Sequence, residues 1–197
     1  MVYPESVAVA ALEVAGPAGR IGRDEAARLT YRPARLGETF GPLWSTWWFR
    51  IAADVPGTWA GDRVDLLWDS RSEATLWRDG RPVQGLHSGL IAVRAEAPLL
   101  EPARGGERVE LEVELACNGF LGDESRFAHA TPSGVHFARG AATAATAPPA
   151  GAADTGFHAR LERCALARFD AQADELAVDF ELLRALEAEH AAGLDPA

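Results

Sequence analysis

From Thr46 to Val55 apolar and polar positions alternate with the period of a β-strand. Trp47, Phe49, Ile51, Ala53 and Val55 fall on one face, a core face. Thr46, Trp48, Arg50 and Asp54 fall on the other, which is polar except for Trp48. Trp48 is therefore either covered by another part of the protein or exposed as an aromatic platform. Gly41-Pro42 opens this strand and Pro56-Gly57 closes it, because proline cannot continue a ladder. Val64–Asp69 alternates next, with Val64, Leu66 and Trp68 on the core side, and Asp69-Ser70-Arg71-Ser72 carries turn chemistry. Glu73–Arg78 sets Ala74 and Leu76 against Glu73, Thr75 and Trp77. Asp79-Gly80 then signals a two-residue hairpin, with Val83 on the return strand. Gly89–Ala95 predicts another strand, with Ile91 and Val93 on one side.

The cleanest alternation is Glu107–Cys117. Val109, Leu111, Val113, Leu115 and Cys117 share one face, and Glu110, Glu112 and Glu114 share the other, read as solvated carboxylates with ordinary pKa values. Phe157–Phe169 predicts a last strand. From Asp170 the period changes: Leu176, Phe180, Leu183 and Leu186 form one apolar helical stripe, widened by Leu182 and stopped by Gly193 and Pro196. Residues 1–37 are Ala-rich at first, with no clear period, and read as an N-terminal arm with a short helical turn within Arg20–Arg28. Residues 38–169 form the strand-rich domain, with a mobile, low-complexity loop at 141–155, and residues 170–197 form the helix. Many short strands with turn signals and one late helix indicate a mainly β, antiparallel β-sandwich.

Composition narrows the partners. A net charge of −10 and a pI near 5.0 argue against nucleic acid and anionic membranes. Every basic side chain is arginine, which excludes Schiff-base and P-loop chemistry that needs a lysine. Cys117 and Cys164 fit no zinc spacing and read as small buried hydrophobes in a reducing, cytoplasmic compartment. No apolar run approaches the ~20 residues of a membrane span. The apolar stretch Val7–Gly16 is interrupted by Glu13 and lacks the basic flank of a secretion signal.

Catalytic motifs are missing. There is no nucleophile elbow, phosphate loop or Cys-x-x-Cys pair, and none of the five histidines shows metal-ligand spacing. His129 and His136, near Asp123 and Glu124, come nearest to a cluster. Asp69 and Glu73 border the Trp-rich region as a glycosidase pair would, but read as a turn cap and a solvated strand position.

Four segments together point to a family. GPLWSTWWFRI is followed by VPGTWAGDRVDLLWDSRSEATLWRDGRPVQGL, then ELACNGFLG, then LERCALARFDAQADELAVDFELLRAL. In order and spacing this series, over roughly residues 38–190, resembles the N-terminal region of cytosolic, vacuolar and bacterial α-mannosidases of glycoside hydrolase family 38. The resemblance implies a galactose-binding-like jelly-roll sandwich and a helix leading toward a zinc-dependent catalytic barrel. That barrel carries a G-H-x-H-x-D-x-x-W type motif, which these 197 residues lack. No catalytic or zinc residue can be carried over, the chain alone is expected to be inactive, and no cofactor is expected in it.

Two functions follow as expectations. The first is a non-catalytic accessory domain that docks on and supports the barrel of the same polypeptide, with self-association of the separate domain through the exposed contact surface. Trp48 beside Arg50, and Trp77 beside Glu73, would be its anchors, since aromatics and arginine dominate interfaces. The second is a carbohydrate-binding module in which Trp77, Trp68, Asp69, Arg71 and Glu73 meet a mannose-type sugar.

Overall fold

The computed structural model describes residues 1–42, 44–87, 94–117 and 159–193. The strand expected at 89–95, the 141–155 loop, and His129, His136 and His158 lie largely or wholly outside them. The strands are β1 (Glu5–Ala8), β2 (Ala11–Ala18), β3 (Arg32–Pro33), β4 (Thr39–Phe40), β5 (Thr46–Asp54), β6 (Val64–Asp69), β7 (Glu73–Arg78), β8 (Arg81–His87), β9 (Glu96–Leu100), β10 (Arg108–Ala116), β11 (Ala159–Arg160) and β12 (Arg163–Arg168). The helices are α1 (Arg23–Ala26) and α2 (Ala171–Gly193). Every ladder is antiparallel. One sheet runs β3-β2-β5-β10-β7-β8, a second runs β1-β12-β6-β9, and β11 pairs with β4.

The expected alternation fixes the inner faces. In the β5–β10 register Trp47 stands opposite Leu115, Phe49 opposite Val113, Ile51 opposite Leu111 and Ala53 opposite Val109, all buried. From the other sheet Val64, Leu66, Trp68 and Leu166 complete a single core. Its centre is aromatic: Phe49 meets Trp68 edge-on at 5.1 Å, and Phe40 meets both Trp47 and Phe49. The hairpin turn forms where Asp79-Gly80 predicts it, with φ of 51° and 73°.

The N-terminal arm expected over residues 1–37 is instead woven into both sheets. β1 pairs with β12 and β2 with β5. Its alternation escapes notice because alanines occupy both faces and a bulge interrupts β2 between Ala15 and Ala18. Gly16 sits in that bulge at φ 142°, and a Cβ there would stand 2.8 Å from the Trp47 ring. No side chain fits between strand and indole.

A polar knot secures the outer side of the smaller sheet. Asp65 is fully buried and accepts two hydrogen bonds from Arg63, each 2.8 Å, and one from the Tyr3 hydroxyl at 2.9 Å. The Arg63 guanidinium lies 3.9 Å from the Phe169 ring centre. Asp170 donates its backbone N–H to Val2 and accepts at Oδ1 from the N–H groups of Gln172 and Ala173, capping α2. One knot thus ties the N-terminus to the start of α2. Asp65→Asn should destabilise the fold by about 1–3 kcal/mol, the usual cost of weakening hydrogen bonds to a buried charged group, and Tyr3→Phe by about 1 kcal/mol. Urea unfolding of the two variants checks both values.

Candidate functional site

The outer face of the six-stranded sheet holds the side chains that alternation turns away from the core. Trp48 stands opposite Glu114, Arg50 opposite Glu112 and Ala52 opposite Glu110, with Trp77 beyond Glu112 on β7. The segment containing α1 crosses this face. Arg23 Nε donates to Glu112 at 2.7 Å, Arg50 Nη2 donates to the Ala27 carbonyl at 2.8 Å, and the Arg50 guanidinium lies 3.8 Å from the Tyr31 ring centre. Ala26 is buried in this cover.

This arrangement corrects the expectation for Trp48. Its indole is 1% exposed and packs against Trp77 at 5.7 Å. It is neither an open platform nor an anchor awaiting a partner, because this chain already buries it, in part against Trp77. Arg50 is likewise engaged within the chain. Alternation assigns Trp48 to the correct face but carries no information on what covers that face.

The acidic row on β10 is also less uniform than expected. Glu110 is solvated, whereas Glu112 is paired with Arg23. Glu114 accepts from Trp77 Nε1 at 3.3 Å, and burial holds its carboxyl above the usual carboxylate range, with the Trp77 bond opposing in part.

Asp69, Arg71 and Glu73 do not join Trp77. Asp69 accepts the Arg71 N–H at 2.9 Å in a turn where Arg71 has φ 53°, and Arg71 pairs with Glu162 at 2.9 Å. Trp68 is a core residue whose Nε1 donates to Ser70. Glu73 is exposed at the start of β7, four residues from Trp77 and therefore about 13 Å away along the strand. The supposed sugar constellation is a turn scaffold at one end of β7 and an aromatic at the other.

Trp77 instead borders an open groove of about 440 Å³ that alternation does not reveal. Ala11 and Ala52, paired across β2 and β5, form its low floor, and Glu13, Arg50 and Glu112 rise beside them. Arg23 and the Asp79-Gly80 turn close its rim. The signal in the sequence is the pair of alanines among long charged residues, visible only once the strand register is known.

Other chemistry is quiet. Burial pushes the Cys164 thiol up to about 12 and Cys117 up to about 11, so neither supplies a thiolate; both are unpaired. Among the described residues no group of His, Cys, Asp and Glu could hold a metal ion, and no helix is long and apolar enough to cross a membrane.

The sandwich fits a known profile. A family described as "Alpha-mannosidase, jelly roll domain" matches residues 4–166. The chain belongs to this family. Alpha-mannosidase 2C1 of Homo sapiens is 42% identical to this jelly-roll domain over 107 residues, and Alpha-mannosidase G of Dictyostelium discoideum is 37% identical over 103. Each alignment covers 52% of this chain and 10% of the relative, so the matched part spans about a tenth of the length of these curated relatives. Among solved structures, Faecalibacterium prausnitzii Beta-glucuronidase superposes with a TM-score of 0.51 over 86% of this chain and 33% of its own. At 16% identity that likeness is one of fold. The match from residue 4 also agrees with the N-terminal strands being integral to the domain.

Glu114 generates a signed prediction. A carboxyl whose pKa is raised by folding binds its proton more tightly in the folded state, so stability falls as pH rises from its ordinary value of 4.5 through the raised one. Glu114→Gln removes this term and can still accept from Trp77. The variant should melt higher than the parent at pH 7, with the difference vanishing below pH 4.5, in thermal unfolding followed across pH.

Proposed function

We propose that this jelly-roll domain is the non-catalytic accessory part of an α-mannosidase and supports a catalytic domain that hydrolyses α-mannosides. The observation that supports this reading most strongly is α2. Leu176, Phe180, Leu183 and Leu186 are each between 53% and 70% exposed, and nothing among the described residues covers them. An apolar helix face left in water is an interaction surface, and a lone helix of this kind is only marginally stable. Its natural occupant is the catalytic part of the same polypeptide, given relatives about ten times the length of the match. The anchoring role first assigned to Trp48 passes to α2. Zinc and the acid–base groups belong to the catalytic part in this reading, and the unpaired Cys117 and Cys164 suit a cytoplasmic setting.

Two outcomes test this. The purified 197-residue chain should not hydrolyse an aryl α-mannoside with zinc added; turnover that co-purifies with it would overturn the accessory reading. The chain alone should self-associate through α2 in sedimentation velocity. Phe180→Asp with Leu183→Asp should return it to a monomer without shifting the unfolding midpoint of the sandwich.

A further inference from the structure

We propose that the groove on the outer face of the six-stranded sheet binds a neutral oligosaccharide, with Trp77 as its apolar wall and Arg23, Arg50, Glu13 and Glu112 as hydroxyl partners. This goes beyond the accessory role and does not rest on it, since α2 carries that role and contributes nothing to the groove.

The shape comes from the strand register. Ala11 and Ala52 face each other across β2 and β5, while Glu13 and Arg50 form the next outward pair. Two small residues beside two long ones leave a trough, and the Asp79-Gly80 turn and Arg23 raise its rim. Its volume of about 440 Å³ lies within the ~300–1,000 Å³ of small-ligand sites.

The chemistry selects the ligand class. Guanidiniums only donate and carboxylates only accept, whereas a hydroxyl does both. A polyol can therefore satisfy both kinds of group without bringing a charge of its own. Four carboxylates (Glu13, Asp79, Glu110, Glu112) face two guanidiniums (Arg23, Arg50), so the groove is net acidic and repels uronates, sulfates and phosphates.

The groups are also held in place before any ligand arrives. Arg23 is fixed by Glu112, Arg50 by the Ala27 carbonyl and the Tyr31 ring, and Trp77 by Trp48 and Glu114. Preorganised side chains lose little entropy on binding. The half-buried Trp77 offers an apolar surface to the C–H face of a pyranose, beside the charged groups that would take its hydroxyls.

Calorimetric titration of the 197-residue chain with neutral mannotriose, neutral cellotriose and anionic trigalacturonate tests the proposal. A neutral trisaccharide should bind with a Kd on the order of 1 mM, at least tenfold tighter than the uronate. Trp77→Ala should abolish the heat. Ala52→Met, which fills the floor while leaving Trp77 and every charged group in place, should weaken binding at least tenfold with an unchanged unfolding midpoint. Silence from both neutral sugars at high millimolar concentration would overturn the proposal. So would equal binding of the uronate, or an Ala52→Met variant that binds like the parent. None of these results bears on the accessory role, which the mannosidase assay and the α2 variants test separately.

Discussion

A central strand that must be buried on both faces governs this molecule. Trp47 and Trp48 are neighbours in β5, point to opposite sides and are 9% and 1% exposed. Burying a large apolar side chain contributes roughly 1.5–3 kcal/mol, so leaving either face open would forfeit a sizeable share of a typical domain's stability. Two covers are required. The second sheet supplies the inner one through Trp68 and Leu66. On the outer face Trp77 packs against Trp48, and residues 23–31 lie over the neighbouring Arg50 and Glu112, held by an ion pair, a backbone carbonyl and a cation–π contact. The N-terminal segment is consequently a structural part of the domain.

The same constraint explains what could be read from the chain. Strands β5, β6, β7 and β10 are legible because each alternates large apolar residues with polar ones, and the Asp79-Gly80 and Asp69–Ser72 turns carry their own chemistry. The fate of Trp48 is not legible. Alternation reports the side to which a residue projects and not what lies over it, and Trp77, which packs against Trp48, comes from β7, a strand not adjacent to β5 in the sheet. Glu114 illustrates the same limit: it reads like its neighbours in the row, yet burial raises the pKa of its carboxyl, and the Trp77 that donates to it lies two strand positions away on the neighbouring β7. The groove is hidden for a related reason, since Ala11 and Ala52 become one surface only when β2 pairs with β5.

The polar knot at Asp65 and the exposed helix divide the labour at the C-terminal end. Arg63, Asp65, Tyr3 and Phe169 fix where the chain leaves the sandwich, and the Asp170 cap starts α2 there. Beyond that cap, nothing among the described residues covers the large apolar side chains of the helix. A fixed exit followed by a helix whose large apolar side chains stay exposed agrees with the proposed accessory role beside a catalytic domain.

Hydrogen–deuterium exchange of α2 tests this account most directly. It should be followed in the 197-residue chain and again when that chain is joined to an α-mannosidase catalytic domain. Amides over residues 174–190 should exchange fast in the monomeric Phe180→Asp/Leu183→Asp form, slowly in the joined protein, and fast again when those substitutions are carried into the joined protein. An α2 equally exchangeable in the joined protein and the isolated monomer would contradict the account.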